Sequence, residues 1–226
     1  MRKDLAMFDI LFEGNNFLRL MLGLWVTIKI SLISIAFSLI GGMVLGVLMS
    51  SKNRFIYTFL KIGLEIVRVM PQIVWLMLVY FGLSKWLNIH TSGVSAAIIV
   101  FSIWGIFEMM DLVRGAIKSI PKHQFESATS LGLKNAQIYS YIIIPLAMRR
   151  LVPASINLLS RMIKTTSIVV LIGVVEVVKV GQQIIDSTVF TDNYAAFIIY
   201  GFIFFLYFAI CYPVSKFSKI LEDRWN

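Results

Sequence analysis

The sequence predicts an all-α polytopic membrane protein with about five transmembrane helices and short cytosolic helices between the third and the fourth. Three observations predict it. The first is composition: 58% of the 226 residues are hydrophobic and 15% are charged, where a soluble domain carries about 45–50% and about 25%. The second is the length of the apolar runs, several of which approach or exceed the roughly 20 residues that span a bilayer, in a chain of mean hydropathy +0.84. The third is the placing of charge. The formal net charge is +9, and the basic residues gather between the apolar runs, as the positive-inside rule requires. Nucleic acid, the usual partner of so basic a soluble chain, is therefore not expected.

The elements follow in order. Residues 1–19 form an extracytoplasmic or interfacial segment, in which Phe8, Ile10, Leu11 and Phe12 read either as an amphipathic turn on the membrane surface or as a frayed terminus. A signal peptide is not expected, because acids and the Gly14-Asn15-Asn16 break fall where an unbroken apolar region is needed. The first span covers about 20–49, with Gly41, Gly42 and Gly46 spaced to let another helix approach closely. The second covers about 55–83 and is kinked by Pro71 in its middle. The third covers about 94–117 and ends at Ile120-Pro121. Two short helices follow, the second closed by Pro145, which would start the next helix. The fourth apolar segment runs over about 146–180, interrupted by Pro153 and Asn157, and leads into a polar loop over 181–193. The fifth span covers about 194–214.

Five spans put the termini on opposite sides. With the long connection near 118–146 inside, the cytosolic side holds Lys52, Arg54, Arg114, Lys118, Lys122, Lys134, Arg149, Arg150, Lys216, Lys219 and Arg224. The other side holds Arg2, Lys3, Arg19, Lys85 and Lys179. This bias predicts an outside N-terminus and a cytosolic C-terminal tail over 216–226, around one permease domain over 20–215.

The stretch ESATSLGLKNAQIYSYIIIP, residues 126–145, is polar and lies between long apolar runs. Its spacing, Glu126-Ser127-Ala128, then Gly132, then Ile142-Ile143-Ile144-Pro145, resembles the EAA signature, EAA-x3-G-x9-I-x-L-P, of the inner-membrane subunits of binding-protein-dependent ABC importers. Ser127 and Ile144 depart from it. Further stretches resemble the polar amino acid branch of that family: Gly23 to Lys29; Arg68-Val69-Met70-Pro71 beside R-G-T-P; Arg114-Gly115-Ala116-Ile117 with Ser119-Ile120-Pro121-Lys122 beside R-G-A-I-x-S-I-P-K; Lys164-Thr165-Thr166-Ser167 beside K-D-T-S; and Gly173-Val174-Val175-Glu176 beside G-V-x-E.

The resemblance implies a permease subunit in the bacterial inner membrane, paired with a second, identical or related permease chain. Two cytosolic ATPase subunits dock beneath the pair, and an extracytoplasmic binding protein delivers a polar amino acid from above. Glu126, Ser127, Ala128, Gly132 and Pro145 would then make the ATPase-coupling element. The chain itself would hold no cofactor and no metal, with ATP and Mg carried by the partner ATPases, and it contains no G-x4-G-K-[ST] phosphate loop. Physically, Glu126 is placed to satisfy free backbone donors at a helix start. Ala128 and Gly132 are small enough for close docking, and Gly132 is suited to end a helix in the left-handed conformation.

Charges inside spans are costly and are functional candidates by default. Lys29 reads as a snorkelling residue or polar contact. Arg68 binds either a substrate carboxylate or an acid of the chain. Glu108 attracts a substrate ammonium group or pairs with Lys29, Arg68 or Arg161. Asp111 and Arg114, three residues apart, share a helical face and can pair. Asn157, Arg161, Lys164, Thr165, Thr166 and Ser167 supply donors and acceptors that suit an amino acid in transit, or bonds across a subunit seam. Glu176 is expected toward the outside, as a gate or a contact for the binding protein. Three other readings compete: an importer permease for methionine, peptide or another amine; a secondary transporter, which would need inverted repeats; and a membrane enzyme, which His90 and His123, on opposite sides, cannot serve. Cys211 is alone, so no disulfide is expected.

Overall fold

The computed structural model describes residues 9–51, 53–86, 91–188 and 194–225. Arg2, Lys3, Phe8, Lys52, Asn88, His90 and the end of the loop expected over 181–193 lie outside the described residues. The elements are α1 (Asp9–Phe12), α2 (Asn16–Met49), α3 (Arg54–Val69), α4 (Gln72–Trp86), α5 (Gly93–Lys118), α6 (Lys122–Ser130), α7 (Asn135–Ile138), a π turn (Tyr139–Ile143), α8 (Ile144–Thr165), a 3₁₀ helix (Thr166–Ile172), α9 (Val177–Thr188) and α10 (Ala195–Trp225).

Among the described residues four helical stretches are long and apolar enough to cross a membrane: Asn16–Met49, Gly93–Lys118, Asn135–Ile172 and Ala195–Trp225. A fifth crossing is available if α3 and α4 count as one broken span. The expected kink at Pro71 is a break: α3 and α4 are bent by 97°. Proline offers no N–H and pushes the residue before it out of the helical region, and Met70 accordingly sits at ψ 131°. Pro153 and Pro213, by contrast, lie inside α8 and α10, so Pro153 does not interrupt its segment. Helix α10 also runs on to Trp225, past the expected end near 214.

The chain packs as two compact units, Met1–Ile33, Gln72–Val100 and Arg161–Pro213 forming one, and Ser34–Pro71, Phe101–Ser160 and Val214–Asn226 the other. In the first, Ile10 and Leu11 are buried with Leu20, Val177, Val180, Ile184, Ile199 and Ile203. This corrects the surface role expected for α1: two of its apolar residues join the core, and Phe12 remains exposed. The polar loop expected from Gly181 is also corrected. Residues 177–188 form α9, whose Val177, Val180, Gly181 and Ile184 recur at helical spacing and are buried. A Cβ on Gly181 would lie 2.5 Å from the side chain of Ile203, and one on Gly23 would lie 2.9 Å from the backbone of Glu176 and Val177.

In the second unit, Gly41, Gly42 and Gly46 of α2 face Ile106, Met109 and Val113 of α5, the close approach that small residues permit. A Cβ on Gly42 would overlap the Met109 side chain and lie 3.0 Å from the Ile106 carbonyl oxygen. Gly42→Val is therefore expected to destabilise the purified chain by about 1–2 kcal/mol through overpacking, seen as a lower melting temperature in detergent. Gly201→Ala, with nothing within 4 Å of the added Cβ, serves as the tolerated control.

Along α2 the polar side chains Thr27, Ser31, Ser34 and Ser38 are fully buried on one face. Ser31 donates to the Thr27 carbonyl at 2.9 Å and Ser38 to the Ser34 carbonyl at 2.7 Å, so small hydroxyls are carried in an apolar setting without losing their hydrogen bonds.

Candidate functional site

The 126–145 stretch folds as a compact helical turn in the second unit. Pro121, extended at φ −61° and ψ 141°, precedes the first residue of α6. Glu126 consequently lies in the middle of α6, exposed, and not at a helix start as expected; its carbonyl accepts from the Ser130 hydroxyl at 3.1 Å. Gly132 ends the helix as expected, at φ 76°. Its N–H donates to the Thr129 carbonyl at 2.9 Å, and the Leu133 N–H to the Ala128 carbonyl at 3.3 Å, the reversal that glycine permits without a Cβ penalty. The chain re-enters a helix at α7, where the Lys134 N–H donates to Gln137 Oε1 at 2.9 Å.

Two expectations are corrected here. Ala128 is buried among the chain's own Ile138 and Ile143, so its small size serves the packing of α6 against the segment that follows, not an external docking surface. Pro145 does not close the second short helix but stands at the start of the next, as the second residue of α8. The π turn ends with the Ile144 N–H bonded to the Tyr139 carbonyl, and the helical path continues through Pro145 to Ile172. The exposed side of the stretch therefore carries Glu126, Ser127, Gly132 and Leu131. Leu131, 80% exposed at the tip, was missed by sequence reasoning; an apolar residue on a polar turn beside the helix-ending glycine was the available signal.

A second constellation joins α3 to α5. Arg68 Nε donates to Glu108 Oε1 at 2.8 Å, and Arg68 Nη2 to Asp111 Oδ2 at 2.9 Å. Arg114 donates to Asp111 Oδ1 through Nε at 2.9 Å and Nη2 at 2.6 Å. Two cations and two carboxylates thus form one neutral chain of charge-assisted hydrogen bonds. Of the alternatives stated for Arg68 and Glu108, their mutual pairing is present in the structure, and the Asp111–Arg114 pair forms as the spacing predicts. Proline is what positions Arg68: α3 must end before Pro71, which leaves Arg68 in its last turn, opposite the middle of α5.

The remaining candidates are carried by other elements. Asn157, Arg161 and Lys164 are exposed on α8. Thr165, Thr166 and Ser167 donate to the carbonyls of Arg161, Ile163 and Lys164 at 2.9, 2.7 and 3.0 Å, so their hydroxyl protons are committed to their own helix, and Thr166 is fully buried. Lys29 is exposed on α2. Glu176, expected as a gate or a contact for the binding protein, is fully buried and so offers no exposed contact; it accepts from the Thr27 hydroxyl at 3.2 Å and from the Lys179 N–H at 2.9 Å. Among the described residues no group of three or more His, Cys, Asp or Glu side chains is arranged to hold a metal ion.

Comparison with known proteins agrees with this architecture. The family described as binding-protein-dependent transport system inner membrane component matches residues 42–225. The glutamine transport system permease protein GlnP of Escherichia coli (strain K12) is 30% identical over 207 residues, covering 89% of this chain and 90% of that protein. A crystal structure of an amino acid ABC transporter with histidines superposes with a TM-score of 0.84 at 25% identity, over 93% of this chain and 95% of that one. An inward-facing MetNI methionine ABC transporter shares the fold at a TM-score of 0.71 and 17% identity. With the matched family spanning most of its length, the chain belongs to the binding-protein-dependent transport system inner membrane components, as a multi-pass permease subunit of an ABC importer.

Proposed function

We propose that this permease forms the translocation pathway for a polar amino acid, handed over by an extracytoplasmic binding protein and driven by two cytosolic ATPase subunits. A second permease chain, identical or related, completes the pathway. The N-terminus lies outside and the C-terminal tail, 216–226, in the cytosol, so the turn between α6 and α7 faces the ATPases. Nucleotide and Mg bind to those partners and not to this chain. Likeness to a glutamine permease supports the amino acid as cargo. The observation that carries the coupling role is the exposed turn at Leu131 and Gly132, held rigid by the buried Ala128, Ile138 and Ile143 behind it.

The test is reconstitution with the cognate ATPase and binding protein in liposomes, recording ATP hydrolysis and uptake across a panel of amino acids. Stimulation and uptake of one polar class are expected; stimulation by methionine or peptide alone would move the substrate assignment, and failure of any ATPase to associate would remove the coupling role. In the same assay Gly132→Asp is expected to cut substrate-stimulated uptake by about tenfold while the subunits stay assembled. It places a negative charge on the exposed turn, at a left-handed position that Asp and Asn adopt alike. Gly132→Asn, which tolerates that conformation and adds no charge, should retain most of the activity.

A further inference from the structure

Outside the constellations already described, the second unit carries a groove of about 430 Å³ formed by α2, α5 and the helical path around the π turn. Its walls are apolar, from Met43, Val47, Val113, Ile117, Ile143 and Leu151 among others. It is open to the outside: Val47 is 59% and Met148 41% exposed. At the C-terminal end of α2 the groove reaches Ser50 and Ser51. Ser51 is shared with a second cavity of about 310 Å³, lined by Met49, Ser51, Asn53, Arg54, Tyr57 and Lys118. The character changes sharply between the two. The second cavity has two cations, Arg54 and Lys118, with hydroxyl and amide groups, and no carboxylate among its lining residues. Lys118 is held over the Tyr57 ring, its Nζ 5.0 Å from the centroid, which fixes the ammonium group at the cavity without neutralising it.

We propose that this apolar groove and the basic cavity that adjoins it at Ser51 together bind one phospholipid with an anionic headgroup, its acyl chains in the groove and its phosphate at Arg54 and Lys118. Charge complementarity selects this occupant. A second copy of the chain would bring a surface of the same net charge of +9 to a cavity that already holds two cations, whereas an anionic lipid supplies the apolar body and the negative end in the required order. Binding of this kind does not depend on which way the termini face or on which amino acid is carried.

Electrostatic attraction contributes about fivefold in affinity for each basic side chain near an anionic lipid, or roughly 30-fold for two. The experiment is native mass spectrometry of the full chain purified in detergent and titrated separately with phosphatidylglycerol and phosphatidylcholine. The expected result is one phosphatidylglycerol retained about 30-fold more tightly than phosphatidylcholine. Arg54→Gln with Lys118→Gln should bring the two lipids level. Val47→Trp, at an exposed position that tolerates bulk, should weaken both by filling the groove. Equal retention of the two lipids by the unmodified chain would overturn the proposal, as would a phosphatidylglycerol affinity indifferent to either change. Competition by glycerol phosphate as effective as by the lipid would show that the groove takes no acyl chain. A change of oligomeric state with Val47→Trp, lipid binding being unaltered, would assign the groove to a second copy instead.

Discussion

Replacing Glu176 with alanine is expected to lower the unfolding free energy of the purified chain by about 2 kcal/mol, a large fraction of the stability of an ordinary domain. The carboxylate is fully buried and accepts from Thr27 on α2 and from the Lys179 N–H in the first turn of α9. Alanine leaves the Lys179 N–H without its acceptor, and a buried unsatisfied donor costs about 1–3 kcal/mol, whereas the Thr27 hydroxyl keeps the Gly23 carbonyl at 3.3 Å. That same Lys179 bond is the side-chain cap of α9, so the two are one loss. Relief from burying an ionisable group offsets part of it. Glu176→Gln keeps an oxygen acceptor in place and should cost about 1 kcal/mol. The measurement is thermal unfolding in detergent followed by size-exclusion chromatography. Equal losses for the two substitutions would show that charge, not acceptor geometry, is what the site requires.

Glu108→Gln is expected to reduce uptake of neutral and cationic amino acids alike, by roughly 30-fold, through loss of the Arg68 pairing. Breaking a fully buried ion pair costs about 3–5 kcal/mol; Arg68 is 38% exposed and Glu108 10% at the side chain, so solvent screening brings this down to about 2 kcal/mol. Asp111 still holds Arg68, which keeps the loss from being complete. Adding Arg68→Gln to Glu108→Gln should recover part of the activity, since it removes the surplus positive charge and leaves the Asp111–Arg114 pair balanced, and a double-mutant cycle reads that recovery as the coupling energy. Uptake lost selectively for lysine and arginine, with no rescue in the double variant, would instead assign Glu108 to the substrate ammonium group.

Much of this molecule was legible in its sequence because the bilayer imposes simple requirements: runs of about 20 apolar residues, satisfied backbones and cations kept to one side. The first and third spans, the helix-ending Gly132 and the small-residue seam of Gly41, Gly42 and Gly46 follow from spacing alone. The same apolarity hid α9. With Gly181 and two glutamines in 12 residues it reads as a loop, and its buried stripe has meaning only beside Leu20 and Ile199.

What the sequence by itself determined is local: which segments are helices, where proline and glycine end or break them, and the polar turn of an importer permease. Only the tertiary structure decided which groups meet. Arg68 and Glu108 stand 40 residues apart, and Thr27 and Glu176 149, so neither pairing is visible in any window of the chain. Ala128 likewise has no inward or outward side until Ile138 and Ile143 fold back over it. The physical reason is common to all three: charge and smallness are properties of a residue, whereas burial and partnership are properties of the packing around it.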